Sequence, residues 1–485
     1  QIREKRNKDL LLSYGLIPLA ANKTADALRR YEFINEFLKK SREFGAQRQA
    51  SEKEAANIAL ENLARNFGYT DVLRFNWKME MEKFEAIEQY FKPYQVADTT
   101  LFLEFTAAGK AELICEKKGK LLKNIPAALK KDPYVKELHE VKTALKNQLS
   151  RSLHSLEKAM ENRDEFTFGE ARELLGHPVI GSLFRDLVFK CGSEVGFLSE
   201  KGLKGADGSE IKLTPKKVLT VAHCYDLFTS GKWRDLQRHA FATNLVQPFK
   251  QIFRELYLVN EDEKAEKIIS RRYAGNQIQP KKAVALLKGR GWTVDYENGL
   301  QKVYHRENIV ATMYALADWF SPSESEAPTL ETVRFFERKS GKPVEFSAID
   351  PILFSEVMRD VDLVVSVAHV GGVDPLASHS TTEMRSVIVT ESMRLLQVKN
   401  IEVTAKHVKI TGTYGEYSVH LGSGLAHRSG SGAIHILPVH SQHRGKIFLP
   451  FLDEDPKTAE IVAKVLLLAK DKEIKDPTIM SQIRK

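Results

Sequence analysis

Residues 417 to 450 read YSVHLGSGLAHRSGSGAIHILPVHSQHRGKIFLP, and the fold of the last third of the chain turns on this stretch. It holds five of the fourteen histidines, His420, His427, His435, His440 and His443, and two G-S-G units, Gly422–Gly424 and Gly430–Gly432. A dinucleotide loop needs G-x-G-x-x-G between a strand and a helix, so that the helix N-terminus faces the pyrophosphate. Here His427 stands at the third glycine position, more strand follows, and there is no Walker lysine. A phosphate loop is excluded, and antiparallel strands remain. In one arrangement 416–421 and 433–439 form a plain hairpin around an eleven-residue loop. His420 and His440 then lie about 20 Å apart at the rise of a strand. In the other, Gly422–Gly424 is a bulge in a longer strand closed by a turn at 429–432. The second is preferred, because a short loop is commoner and in-strand glycines often mark bulges. It sets His420 beside His440, with His443 and Arg444 adjoining, and His427 with Arg428 at the other end.

Histidine beside arginine suits a phosphate or carboxylate, because arginine binds it bidentately and histidine moves a proton near neutral pH. His420, His440 and His443 are thus catalytic candidates, and Arg444, His427 and Arg428 anion-binding ones. The competing reading is a polar network on the solvent face of a sheet. No nearby carboxylate or cysteine completes a zinc site, so no metal is expected. No nucleophile elbow appears, and no cofactor is specified.

Upstream, the pattern is α+β. Helices are expected near 24–44 and 51–67, the second with a Ser51–Glu54 capping box and a stop at Gly68. A hairpin follows near 100–118, then a long charged helix from Pro133 to Met160 whose charges read as a solvated face. The middle carries short strands around GADGSE and a mostly helical stretch, WRDLQRHAFATNLVQPFKQIFRELYLV, interrupted at Pro248. PVEFSAI and VDLVVSVAHV read as strands, the latter buried, and TTEMRSVIVTESMRLLQ and KTAEIVAKVLLLAKD as helices. The loop SPSESEAP (321–328) is the best domain boundary. The expected architecture is a mainly helical region 1–176, an α+β middle domain 177–325 and a C-terminal α+β domain 326–485, with an antiparallel sheet and packed helices.

Two further constellations stand out. In the first, Gln247, Lys250 and Arg254 share one face of the expected helix. With Glu255, His223, Arg271 and Arg272 they suit either an anionic ligand or an ion network. In the second, Glu356 and Asp360 lie one helical turn apart and suit a magnesium ion or, as preferred, salt bridges with Arg359 and Arg385. The composition is that of a globular protein of 485 residues, 42% hydrophobic and 28% charged, with net charge +9. A basic balance permits anionic partners such as nucleic acid. Cys115, Cys191 and Cys224 are widely spaced, which fits a reducing compartment and excludes a cysteine zinc ribbon. No apolar run is long enough to cross a bilayer and there is no signal peptide, so no membrane partner and a cytoplasmic location are expected. The opening QIREKRNKD reads as an internal start, which makes N-terminal domains of the full-length chain expected partners.

YSVHLGSG-x-x-HR, PVHSQHRG-x-x-FLPF and IKDPTI, with QPFKQIFRELY (247–257), SRRYAGNQIQP (270–280), FSEVMRDVDLVVSVAH (354–369), STTEMR and GKLLKNIPAALKK (119–131), resemble a bacterial domain-of-unknown-function family. It is the one associated with the molybdate metabolism regulator, and the likeness runs from about residue 57 to the end. The resemblance implies no reaction. Some relatives carry a WGR module expected to bind nucleic acid, which this chain lacks. Where relatives have H-P-L-D-L this chain has HCYDLF, so only His223 and Asp226 correspond. SGSG replaces a proline–glycine turn at 429–432, and His435 departs from the pattern and leaves the candidate set. The resulting expectation is a binding and assembly module for an anionic partner. The alternative is an enzyme acting on a phosphorylated or nucleotide substrate.

Overall fold

The computed structural model describes all residues except 70, 107–108, 296–298, 323–326, 369–378, 430–431, 435, 437–455 and 485. Its N-terminal region is helical because capped amphipathic segments follow one another. Asn22 accepts the Ala25 N–H at the head of the helix Lys23–Lys40. The next helix, Ala46–Phe67, starts at Gly45, upstream of the expected Ser51–Glu54 box, and Gly68 ends it in the left-handed region at φ 109°. With Val72–Ile87 these helices enclose Leu11, Ile34, Leu60 and Phe75.

β1 (Tyr94–Val96), β2 (Thr99–Phe105), β3 (Ala111–Lys117) and β4 (Lys120–Leu121) form an antiparallel sheet around the expected hairpin. Its inner residues Leu101, Leu103 and Cys115 pack on Val135, Leu138 and Leu145 of the long helix Pro133–Asn162. Asp132 caps that helix through the Tyr134 and Val135 N–H groups.

A six-stranded sheet follows in the order β5-β10-β6-β7-β8-β9. Its strands are β5 (Phe166–Thr167), β6 (Val188–Cys191), β7 (Glu194–Ser199), β8 (Gly202–Lys204), β9 (Glu210–Lys212) and β10 (Val218–Val221). A third sheet comprises β11 (Trp292–Asp295), β12 (Gly299–Tyr304), β13 (Ile309–Ala315) and β14 (Leu330–Glu337). β13 and β14, which flank 321–328, pair directly and belong to one sheet. One apolar core draws on Trp292 and Met313 before that stretch and on Phe335 and Phe354 after it.

Three expected elements differ. VDLVVSVAHV is not a strand: through Ala368 it is the second half of the helix Pro351–Ala368. Asp350 caps that helix through the Ile352 N–H at 2.8 Å, and Val357, Val361, Val364 and Val365 face the core. An apolar run fits either element, and here it continues an already nucleated helix. PVEFSAI is not a full strand: Pro343 makes an isolated antiparallel bridge to Phe336, and Phe346–Ala348 is a 3-10 turn. The stretch from Trp233 is helical only to Thr243, and 245–260 is irregular. Pro248 has no N–H and disfavours helix at Gln247. Side chains take over the hydrogen bonding: Gln251 donates to the carbonyls of Val188 and Ala222 at 2.7 Å each and accepts the Val188 N–H at 2.9 Å. Gln247 accepts the Ile252 N–H at 2.9 Å.

The last sheet runs in sequence order through β15 (Ile401–Val403), β16 (His407–Thr411), β17 (Glu416–His420), β18 (Ala426–Arg428) and β19 (Gly432–Ile434). The expected bulged strand 416–428 is therefore two strands. Leu421–Leu425 reverses the chain, Gly424 sits at φ 68°, and its N–H donates to the His420 carbonyl at 2.8 Å. Alternation puts Val408, Ile410, Tyr417 and Val419 inward, against the helices His379–Leu395 and Pro456–Ala469. The fold class is α+β, as expected.

Candidate anion-binding site

The middle constellation forms a buried ion network rather than a helical face. Arg254 is 0% exposed. Its Nε and Nη2 donate to the two oxygens of Glu356 at 2.7 and 2.6 Å, and its Nη1 and Nη2 reach Glu157 and Glu161 of the long helix at 2.8 and 2.9 Å. Glu255 accepts from Lys250 and, at 3.0 Å, from Arg359, and Lys158 pairs with Glu161. Four cations, Lys158, Lys250, Arg254 and Arg359, thus face four carboxylates, Glu157, Glu161, Glu255 and Glu356.

His223 closes the network from the other side. Its Nδ1 accepts the Tyr225 N–H at 3.1 Å, so the ring proton sits on Nε2, 3.0 Å from Glu356. Burial opposes the charge on Glu356, but the Arg254 guanidinium, with His223 and Arg359, outweighs it and holds the carboxyl well below the usual range. The Cys224 thiol, beside the His223 ring, is pushed up by burial, which leaves it protonated and unreactive. Charge balance, sealed carboxylates and a protonated thiol make this a structural lock between the long helix, the irregular segment and the helix Pro351–Ala368.

Other predicted residues are dispersed. Gln247 is buried next to Gln251, donating to it at 2.7 Å, and takes no part in the ion network. Arg271 is on the surface, paired with Glu266 at 3.0 Å, while Arg272 is buried against Glu263. Glu356 and Asp360 share no cation: Asp360 accepts from Trp292, Arg290 and Lys302 at 2.8, 3.0 and 3.1 Å. Arg385 holds the carbonyls of Leu421 and Gly422 at 3.1 and 2.9 Å. Among the described residues no group of three or more histidine, cysteine or acidic side chains is placed to hold a metal. A cleft of about 480 Å³ between β7 and the helix Trp233–Thr243, lined by Lys232, Asp235, Arg238 and His239, contains none of the predicted residues.

On the C-terminal sheet His420 stands opposite His407, ring centroids 4.8 Å apart at 64°. His420 Nδ1 accepts the Ser423 N–H at 3.0 Å, which places its proton on Nε2. His427 is exposed on the same face, opposite Ser418, and Lys409 flanks Ser418 from β16. Lys406 is exposed at the entrance to β16. Burial lowers the His420 pKa, and the neighbouring His407, Lys406, Arg385 and His427 oppose its charge further. Arg428 is turned aside, donating to the Tyr414 carbonyl at 3.0 Å. His440, His443 and Arg444 lie outside the described residues.

His407 and Lys406 were missed in the sequence. A signal existed: two alternating strands, 407–411 and 416–420, separated by the turn Gly412–Gly415, place 407 opposite 420 by counting. Glu157 and Glu161 were missed because a helix with many charges reads as solvated throughout.

The fold and this face define an α+β protein with a histidine- and lysine-bearing sheet surface. Residues 119–292 match a model described as a domain of unknown function, DUF4132. Residues 1–79 match a family of unknown function, DUF5724, and residues 382–483 another domain of unknown function, DUF7737. The chain is similar to all three, and their descriptions name no activity, ligand or partner. No curated protein and no solved structure matches it. No described helix is long and apolar enough to cross a membrane.

Proposed function

We propose that the chain is a binding and assembly module for an anionic partner, nucleic acid foremost, and that the solvent face of the C-terminal sheet is its contact surface. One observation carries the reading. Lys406, at the entrance to β16, adjoins His407, His420 and His427 of β16–β18, and none is ion-paired with a carboxylate among the described residues. Every cation of the buried network, by contrast, is matched. Unmatched positive potential on a chain of net charge +9 favours an anionic partner. A cytoplasmic bacterial setting and an association with a molybdate metabolism regulator belong to this proposal. They rest on the sequence resemblance and, for the setting, on the three widely spaced cysteines.

The second reading is an enzyme acting on a phosphorylated or nucleotide substrate. It draws on the contact between His407 and His420, where one ring can accept a proton while its neighbour donates. Turnover abolished by His407→Asn would favour it.

Modification of histidines by diethylpyrocarbonate, followed by peptide mass spectrometry, tests the first reading. A bound DNA duplex should shield His407, His420 and His427 and leave the exposed His139 and His305 reactive. Equal labelling of all five with and without duplex would contradict it.

A further inference from the structure

Building on that reading, we infer that this face recognises the phosphate backbone of a nucleic acid without reading its bases, and that the His407–His420 pair makes binding tighten as pH falls.

The shape of the face comes first. Its described outward residues are Glu402, His407, Lys409, Thr411, Glu416, Ser418, His420, His427 and Ala433 along five antiparallel strands. Glu402, Lys409, Thr411, Glu416, His427 and Ala433 of this set are exposed, and His407, Ser418 and His420 are half-buried. Lys409, Ser418 and His427 form one row across β16, β17 and β18, and His407 with His420 the next. At sheet spacings the patch measures about 10 Å by 7 Å. With one charge per roughly 3.4 Å of strand, it spans two to three phosphates of a nucleic acid.

Chemistry then narrows the ligand. Ammonium groups, a serine hydroxyl and imidazole N–H groups are donors that suit phosphate oxygens. No aromatic side chain other than the imidazoles lies on this face among the described residues. Tyr417 of β17 points inward, its hydroxyl donating to Asp471 at 3.0 Å. Without stacking platforms the bases go unread, and phosphate contacts position without specifying.

The proton link follows from what surrounds the pair. His420 is faced by His407 and Lys406 from β16, by His427 from β18 and by Arg385 from the helix His379–Leu395. The carboxylates on this face among the described residues are at its borders: Glu402 pairs with Lys409 at 3.6 Å, and Glu416 is at the far end of β17. On the opposite face Glu460 is paired with Lys464. His420, half-buried, in contact with the His407 ring and faced by Lys406 and Arg385, resists protonation until an anion offsets the charge. Binding therefore takes up protons, and lower pH strengthens it.

Fluorescence anisotropy with two labelled DNA duplexes of unrelated sequence, at fixed ionic strength from pH 8 to pH 6, tests this. Both duplexes should bind alike, and affinity should rise roughly tenfold toward pH 6 as the imidazoles charge. His407→Asn/His420→Asn, in which asparagine keeps an acceptor for the Ser423 N–H, should cut that rise to about twofold or less. His407→Asn alone, which disturbs no hydrogen bond of the described fold, should give an intermediate rise. A pH dependence that survives in both variants, strong preference for one sequence, or tighter binding to phosphatidylserine vesicles than to duplex would overturn the inference. Failure of the unmodified chain to bind either duplex at any pH would instead remove the reading beneath it.

Discussion

Arg254 and Glu356 lie 102 positions apart and meet as a buried bidentate pair, Nε to Oε1 at 2.7 Å and Nη2 to Oε2 at 2.6 Å. Removing one partner of such a pair strands the other. Arg254→Met should therefore destabilise the chain by about 3–5 kcal/mol in urea unfolding, because Glu356, Glu157 and Glu161 lose their shared cation. Arg254→Lys should recover little of this, since one ammonium cannot match a planar fork. A loss below about 1 kcal/mol for both would show the network to be incidental.

Gln251 does for the irregular segment what a helix would otherwise do for its own backbone. Gln251→Ala leaves the Val188 N–H and the Ala222 carbonyl without their amide partner, while the Val188 carbonyl keeps the Ala222 N–H at 3.0 Å. Stranded buried groups cost about 1–3 kcal/mol each, so a loss on the order of 3 kcal/mol or more is expected. Gln251→Glu should also destabilise, because a carboxylate cannot donate to those carbonyls.

His177 and Glu356 are among the groups that set a pH dependence of stability. His177 caps the helix Pro178–Arg185 by accepting the Val179 and Ile180 N–H groups at 3.1 Å, and burial lowers its pKa. A base with a lowered folded pKa is protonated preferentially in the unfolded chain, so its contribution falls away as pH drops below about 6.5. The Glu356 carboxyl is also lowered, by Arg254 and its neighbours against burial. Its contribution is present above the ordinary glutamate value, about 4.3, and is lost as pH falls further. Melting temperature against pH should decline in two stages. His177→Asn, which keeps a capping acceptor, should lessen the first stage and leave the second.

Glu356 and Asp360 sit one turn apart on the helix Pro351–Ala368 but face different cations. Added magnesium and added chelator should both leave the melting temperature unchanged. A chelator-dependent fall would point to a bound ion holding this helix.

Much of the fold is legible in the sequence. The stop at Gly68, the long helix from Pro133 and period-two alternation in 407–411 carry local information that tertiary packing does not overrule. VDLVVSVAHV was not legible, because an apolar run lacks the polar positions that distinguish a period of 3.6 from one of 2. The segment after Pro248 was misread because its hydrogen bonds are closed by Gln247 and Gln251, and no local pattern announces that. The candidate site was half legible. Histidine density marked the sheet, but the partner of His420 is fixed by the turn at 412–415, which makes it His407.

Titration of a labelled DNA duplex over a series of salt concentrations, with the unmodified chain beside Lys406→Glu/Lys409→Glu, tests the anion-binding face most directly. Both lysines are exposed, so the exchange leaves the core intact. The logarithm of affinity should fall linearly with that of salt. The double exchange should flatten the slope and weaken binding roughly tenfold or more at low salt. No binding by the unmodified chain, or equal affinity and slope for the two proteins, would contradict a role for this face.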